Sequence, residues 1–218
     1  MVILPLHQKL KKKLHKTIAL AQDILIMKMY DKFPSAVVHG GTAIWRCYGS
    51  NRFSEDVDVY LQLKDKNKEK LEDFFEILKS QGLLIKKFKM TNNTLFSKIS
   101  YGKVEIRFEA AFKNINHPAV KPFELTDGSF INVLTFSPED LILEKILAYK
   151  KRKKIRDLYD IHFLLKFVTN RKKIEKNLRE FIKTIEKPVD EKELPTLIIS
   201  GVAPDVNSII RRIATWVR

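Results

Sequence analysis

The hydrophobic pattern of this chain changes character near residue 136, from strand-like pieces mixed with helices to mostly helix, and that change sets the fold class. Before it, short segments alternate apolar and polar residues, as half-buried strands do. After it, apolar residues return every three or four positions, as on amphipathic helices. Ala36-Val37-Val38-His39 reads as a short strand closed by Gly40-Gly41, and Asp56 to Leu63 sets Val57, Val59, Leu61 and Leu63 against charged or polar neighbours. Further strand-like pieces lie at 83–90, 94–101, 103–111 and 129–134, with helical spacing at 6–31, 42–48 and 67–81. Ser137-Pro138-Glu139-Asp140 is a helix start: the serine can cap, the proline suits the first turn, and the acids face the positive helix end. Helical stretches follow at 138–151, 156–168, 171–186 and 204–217. The expected architecture is α+β. A mixed sheet with flanking helices fills a domain over 1–136, and a helical bundle follows over 137–218.

The 218 residues carry 41 Lys and Arg against 26 Asp and Glu, a formal charge of +15 that favours a polyanionic partner through long-range attraction and counterion release. The basic stretches at 9–16, 150–156 and 171–176 could each guide RNA or simply be solvated helix faces. No apolar run reaches the length of a membrane span. The start, Met1 to Lys16, lacks the basic-apolar-small order of a secretion signal. Cys47 is the single cysteine, so no internal disulfide forms, which suits a reducing, cytoplasmic setting.

The chemistry concentrates in two adjoining pieces, His39 to Trp45 and Asn51 to Val59. Gly40 and Gly41 let the backbone turn tightly and approach a ligand. A helix starting there points unpaired N–H groups and a positive dipole end outward, which suits phosphate. Asp56 and Asp58 are two apart on a strand, so their carboxylates share a face. Such a pair repels itself unless a cation intervenes, and oxygen ligands beside phosphate suit Mg²⁺ (or Mn²⁺). Each half alone is common; the ordered combination is the equipment of metal-assisted nucleotidyl transfer. His39 ends an apolar strand and is either packed there or near phosphate. Trp45 and Cys47 read as core. Ser54 is either a phosphate donor or a cap of the turn before the strand.

The run GGTAIWRCYGSNRFSEDVDVYL resembles the first motif of the AbiEii-type nucleotidyltransferases, also called the MenT family, within the DNA polymerase β-like superfamily. Gly40, Gly41, Thr42, Ala43, Arg52, Ser54, Asp56 and Asp58 match its pattern. Fourteen residues separate Gly41 from Asp56, slightly more than the superfamily spacing. A second motif lies in the helical half: Glu144-Lys145, Ala148, Arg152, then Arg156-Asp157-Leu158-Tyr159-Asp160. The resemblance covers 35–63 and 137–165 well, and the last fifty residues match no pattern.

The resemblance implies a toxin of a type IV toxin–antitoxin or abortive-infection system. It would transfer a nucleoside monophosphate from an NTP to an RNA hydroxyl, with a tRNA 3′ end as acceptor and an antitoxin protein as partner. Asp56, Asp58 and a third carboxylate would hold the metal. Glu105, between Val104 and Ile106, is favoured for that third place over Glu109, which shares its strand face. Gly40, Gly41, Thr42 and Ser54 would hold the triphosphate. Lys145 would neutralise its charge, and Arg52, Arg152 and Arg156 are further phosphate candidates. Asp157 or Asp160 would orient Lys145, bind base or ribose, or assist deprotonation of the attacking hydroxyl. The plainer reading of the second motif is an inter-helix salt-bridge network joining Lys145, Arg152 and Arg156 to the aspartates. Two rival functions share the scaffold: a kinase-like toxin that moves the terminal phosphate, and a non-catalytic RNA- or partner-binding protein with a relic site.

Overall fold

The computed structural model describes residues 5–218; the first four, which hold most of the apolar start, lie outside the described residues. Two compact units share the chain, Met1–Cys47 with Ser54–Thr135 and Tyr48–Phe53 with Phe136–Arg218.

The first unit is a mixed sheet with helices. In chain order it contains α1 (Leu6–Lys9), α2 (Lys13–Lys32), β1 (Val37–His39), most of α3 (Gly40–Tyr48), β2 (Val57–Leu61), α4 (Lys68–Ser80), β3 (Leu84–Met90), β4 (Thr94–Tyr101), β5 (Val104–Phe112), β6 (Ala119–Glu124) and β7 (Phe130–Thr135). The strand order is β3-β4-β5-β2-β1-β7-β6, with β2/β5 and β1/β7 parallel and the other pairs antiparallel. Period-2 alternation gives the sheet two unlike faces. Val57, Val59, Leu61, Phe108 and Ala110 are buried with the apolar stripes of α2 and α4, while Asp58, Tyr60, Arg107 and Glu109 project from the opposite face.

Sequence periodicity missed β6. Proline cannot donate to a ladder, so Pro122 argues against a strand; β6 is the sheet's last strand, where proline is tolerated. The helix expected over 6–31 is two helices. Leu10 leaves helical geometry and is buried, and α1 is tied to β6 where Glu124 accepts from the Leu6 amide at 2.7 Å. A buried knot also went unseen: Asp23 of α2 pairs with Arg46 of α3 and accepts from the Thr126 amide at 2.8 Å, while Arg46 Nε donates to the Glu124 carbonyl at 2.7 Å.

The second unit is helical: α5 (Pro138–Arg152), α6 (Ile155–Leu164), α7 (Arg171–Lys183), the short α8 (Leu194–Leu197) and α9 (Val206–Trp216). Ser137 caps α5, accepting from the Asp140 amide at 3.2 Å, with Pro138 in the first turn. Residues 48–53 belong here because they pair with the 197–199 strip: Phe53 donates to the Leu197 carbonyl at 2.9 Å and Ile199 to the Asn51 carbonyl at 2.8 Å.

Candidate active site

In the first unit the polar face of β2 and β5 brings the acidic residues together. Parallel register sets Asp58 opposite Glu109 and Val57 opposite Phe108, and antiparallel register sets His39 opposite Asp58. Asp56 lies just before β2, on the same side as Asp58. Arg107 of β5 grips it, with Nε 2.8 Å from Oδ1 and a second guanidinium bond to Oδ2. That bond from Asp56, set against partial burial, raises the Arg107 pKa.

Gly40 opens α3 with φ +69°, and a Cβ there would stand 2.6 Å from Asp58 Oδ2. Only glycine leaves room for that carboxylate against the first turn of α3, whose positive end favours it. Thr42 is fully buried, and its hydroxyl donates to the Asp56 carbonyl. Thr42 therefore fixes the entry to β2 and is not open to a triphosphate. Gln22 supports the same loop, donating to the carbonyls of Ser54 and Glu55 at 2.9 and 3.0 Å. His39 stacks on Tyr60, ring centroids 4.2 Å apart, in keeping with its packed reading.

Glu105 is corrected. It stands opposite Ser100, its carboxylate 3.8 Å from Lys98, four residues before Glu109 on β5. Four strand residues span roughly 13 Å, so Glu105 cannot share a cation with Asp58, whereas Glu109 is its direct neighbour. Alternation could not separate the two, because residues four apart share a face.

Asp56, Asp58 and Glu109 form an all-oxygen, anionic donor set on one face, beside the space that a Cβ at Gly40 would fill. That chemistry fits a hard divalent cation. Among the described residues, no three His, Cys, Asp or Glu groups converge into a ready-made metal cage. The Asp56 carboxylate is paired with Arg107.

In the second unit the second motif forms a buried ion network. Arg52 donates to Asp160 through Nε at 2.7 Å and NH2 at 2.8 Å; Lys145 Nζ lies 2.7 Å from Asp160 and 3.3 Å from Asp157; Arg152 donates to Asp157 at 2.6 and 2.7 Å. Both aspartates are 0% exposed. Burial alone would raise the Asp157 pKa, but the bonds from Arg152 and Lys145 outweigh it and hold it low. Burial likewise works against charge on Arg52, and Asp160 more than offsets it, raising the Arg52 pKa. This is the salt-bridge reading of the motif. Arg52 is corrected from a phosphate ligand to a buried counterion. Both oxygens of Asp160 are engaged by Arg52 and Lys145, which of the expected roles agrees with orienting Lys145. Asp157 and Arg152 share that network. Arg156 is not part of it: its buried Nε has no hydrogen-bond partner.

Sequence reasoning missed Arg107 and the aromatics of the same face, Tyr60 and Phe96. A basic residue at even spacing from Glu105 and Glu109 was the available signal for Arg107.

The family model for the nucleotidyl transferase AbiEii toxin, type IV TA system, matches residues 27–207. Comparison with curated proteins finds no match. Two solved structures have similar folds. JHP933 from Helicobacter pylori is 21% identical, with a TM-score of 0.59 over 91% of this chain and 90% of its own. The nucleotidyltransferase toxin MenT4 from Mycobacterium tuberculosis is 14% identical, with a TM-score of 0.62 over 92% of this chain and 81% of its own. Membership implies a nucleoside triphosphate as substrate and an antitoxin as partner. With the family match spanning most of its length, this chain belongs to the AbiEii family of nucleotidyltransferase toxins.

Proposed function

We propose that the protein is the toxin of a type IV toxin–antitoxin pair, acting in the cytoplasm. It transfers a nucleoside monophosphate from a magnesium-bound NTP to a hydroxyl at an RNA 3′ end, with tRNA as the acceptor. The observation that carries this reading is the register that sets Glu109 against Asp58, on the face that also holds Asp56, at a helix start opened by Gly40.

Asp56, Asp58 and Glu109 would hold the divalent ion, which when bound draws charge from the phosphate oxygens and lowers the barrier to attack. Arg107 neutralises Asp56 in the meantime, so the carboxylate pair is tolerated without a cation. The N–H groups at the start of α3, from Gly40 and Gly41, face phosphate, with Ser54 in the loop beside them. The acceptor hydroxyl oxygen attacks the α-phosphorus, the bond from that phosphorus to the β-bridging oxygen breaks, and pyrophosphate leaves. The hydroxyl proton passes to Glu109. Lys145 has three N–H donors. Asp157 and Asp160 take two and hold the ammonium in place.

The test is incubation with total RNA and each of the four triphosphates labelled at the α position. Label should enter RNA, and Asp58→Asn should abolish it. Label that reaches the acceptor only from the γ position would make the protein a kinase-like toxin instead. If toxicity and nucleotide binding survive Asp58→Asn intact, the site is a relic.

A further inference from the structure

The polar sheet face continues beyond the acidic residues toward the open edge at β3. The registers set Lys87 of β3 opposite Lys98 of β4, and Lys98 opposite Arg107 of β5, which grips Asp56. Neighbouring strands lie about 4.8 Å apart, so three cations stand in one row that starts on the edge strand and ends at Asp56. Like charges directly opposite one another destabilise a sheet. Compensation here is thin: Lys98 reaches Glu105 only at 3.8 Å, and Lys87 and Lys89 have no carboxylate partner among the described residues.

The next row is different in kind. Lys89 stands opposite Phe96, Phe96 opposite Glu109, and Glu109 beside Asp58. Phe96 is half-buried, with the Lys87 ammonium 5.9 Å from its ring centroid. A cleft of about 210 Å³ runs here, lined by Asp58 and Glu109 between Phe96 and the stacked Tyr60–His39 pair. That is less than the roughly 300–1,000 Å³ of ordinary ligand pockets and suits a single base.

We propose that this face is the track of a single-stranded RNA acceptor. Its phosphates lie over Lys87 and Lys98, and its terminal base sits in the cleft against Phe96 and Tyr60. The terminal hydroxyl is thereby brought to Asp58 and Glu109. Cations in a row beside an aromatic ring are the surface that single strands use, backbone on charge and bases on rings. A duplex has no exposed base faces to offer the ring, and an acidic protein surface would use the lysines and leave the aromatic cleft empty. The inference rests on the transfer reading above and assigns the acceptor's path within it.

The experiment measures binding of a fluorescent 12-nucleotide RNA to the full chain across a KCl series. Lys87→Glu with Lys98→Glu should weaken binding on the order of tenfold or more and flatten the salt slope by about 1.4, twice the single-strand value per contact. Phe96→Ala should weaken it by about tenfold with the slope unchanged. Lys172→Glu with Lys176→Glu, an equal charge change on α7, should do clearly less. If the Lys87/Lys98 variant binds like wild type, or no worse than the α7 variant, the track is wrong. Poly-glutamate displacing the RNA as well as unlabelled RNA does would overturn it in favour of an acidic protein. Incorporation of α-label keeps the two readings apart. If wild type labels no RNA, the transfer reading fails; if wild type labels RNA and the Lys87/Lys98 variant does so with an unchanged RNA KM, only the track fails.

Discussion

The Asp56–Arg107 pair on the sheet face and the aspartate network of the helical unit are built from the same residue types to opposite ends. On the sheet face, Asp56 meets Arg107 with side chains 21% and 45% exposed. In the helical unit, Asp157 and Asp160 are 0% exposed and Arg52 and Lys145 nearly so. Water can replace either partner of the first pair at little cost, so Arg107 can surrender Asp56 to a stronger cation. In the second cluster each charge is stranded if its partner goes, because desolvation has already been incurred. Burial, not residue identity, separates charges that exchange partners from charges that hold a shape.

The sharpest way to break that comparison is to remove one charge from each cluster. Asp160→Ala leaves Arg52 and Lys145 buried without their shared counterion and should cost about 3–5 kcal/mol of stability, read as a fall in the urea midpoint. Asp56→Asn should cost less than about 1 kcal/mol in the same assay, as exposed pairs do. Equal losses would collapse the distinction.

Activity should invert the order. Asp58→Asn should lower transfer by a hundredfold or more, about 3 kcal/mol of transition-state stabilisation, while the urea midpoint stays near wild type. Within β5, Glu109→Gln should cost about ten- to a hundredfold and Glu105→Gln less than twofold, because only Glu109 neighbours Asp58. Comparable losses in the two glutamine variants would mean that the register does not select the carboxylate. For Arg107→Ala, titration with Mn²⁺ in the absence of nucleotide should show tighter metal binding by a few-fold, since the competing guanidinium is gone. Weaker binding would show Arg107 supporting the cation site instead of guarding it.

Much of this was legible in the sequence, and the failures have identifiable causes. Period-2 and period-3.6 patterns are local, so β2, α4, β5 and α5 could be read directly. Ser137 announced its cap because a serine, a proline and two acids in order have one cheap arrangement. Register is not local. Glu105 and Glu109 have the same parity, and only the pairing of β2 with β5 chooses between them. The aspartate pair was found because two carboxylates at strand spacing demand a cation, yet the guanidinium supplying that charge, Arg107, is fifty-one residues away. In the second motif the sequence left phosphate-binding and salt-bridge roles both open: helical spacing shows which side chains share a face, but not whether that face is wet. Pro122 hid β6 because its penalty vanishes only on a sheet edge, which is a property of the assembled sheet.

The smallest effect tests the buried cluster through pH. Arg152 and Lys145 hold the Asp157 carboxyl below its ordinary range despite burial. In the unfolded chain it titrates near pH 4. A depressed folded pKa contributes stability that is fully present above that unfolded value and is lost as pH falls through the folded one. Each unit of depression corresponds to about 1.4 kcal/mol. Wild type should therefore lose stability steeply below about pH 4. Asp157→Asn should start lower at pH 7 and fall more gently, because the neutral amide has no proton to gain. It should not become flat, since Glu139, also held low where the amides of Thr169 and Asn170 outweigh its burial, titrates in the same window. Parallel acid limbs for the two proteins, followed by the urea midpoint between pH 2.5 and 7, would mean that Asp157 is not charged in the folded state and that Lys145 is aimed by Asp160 alone.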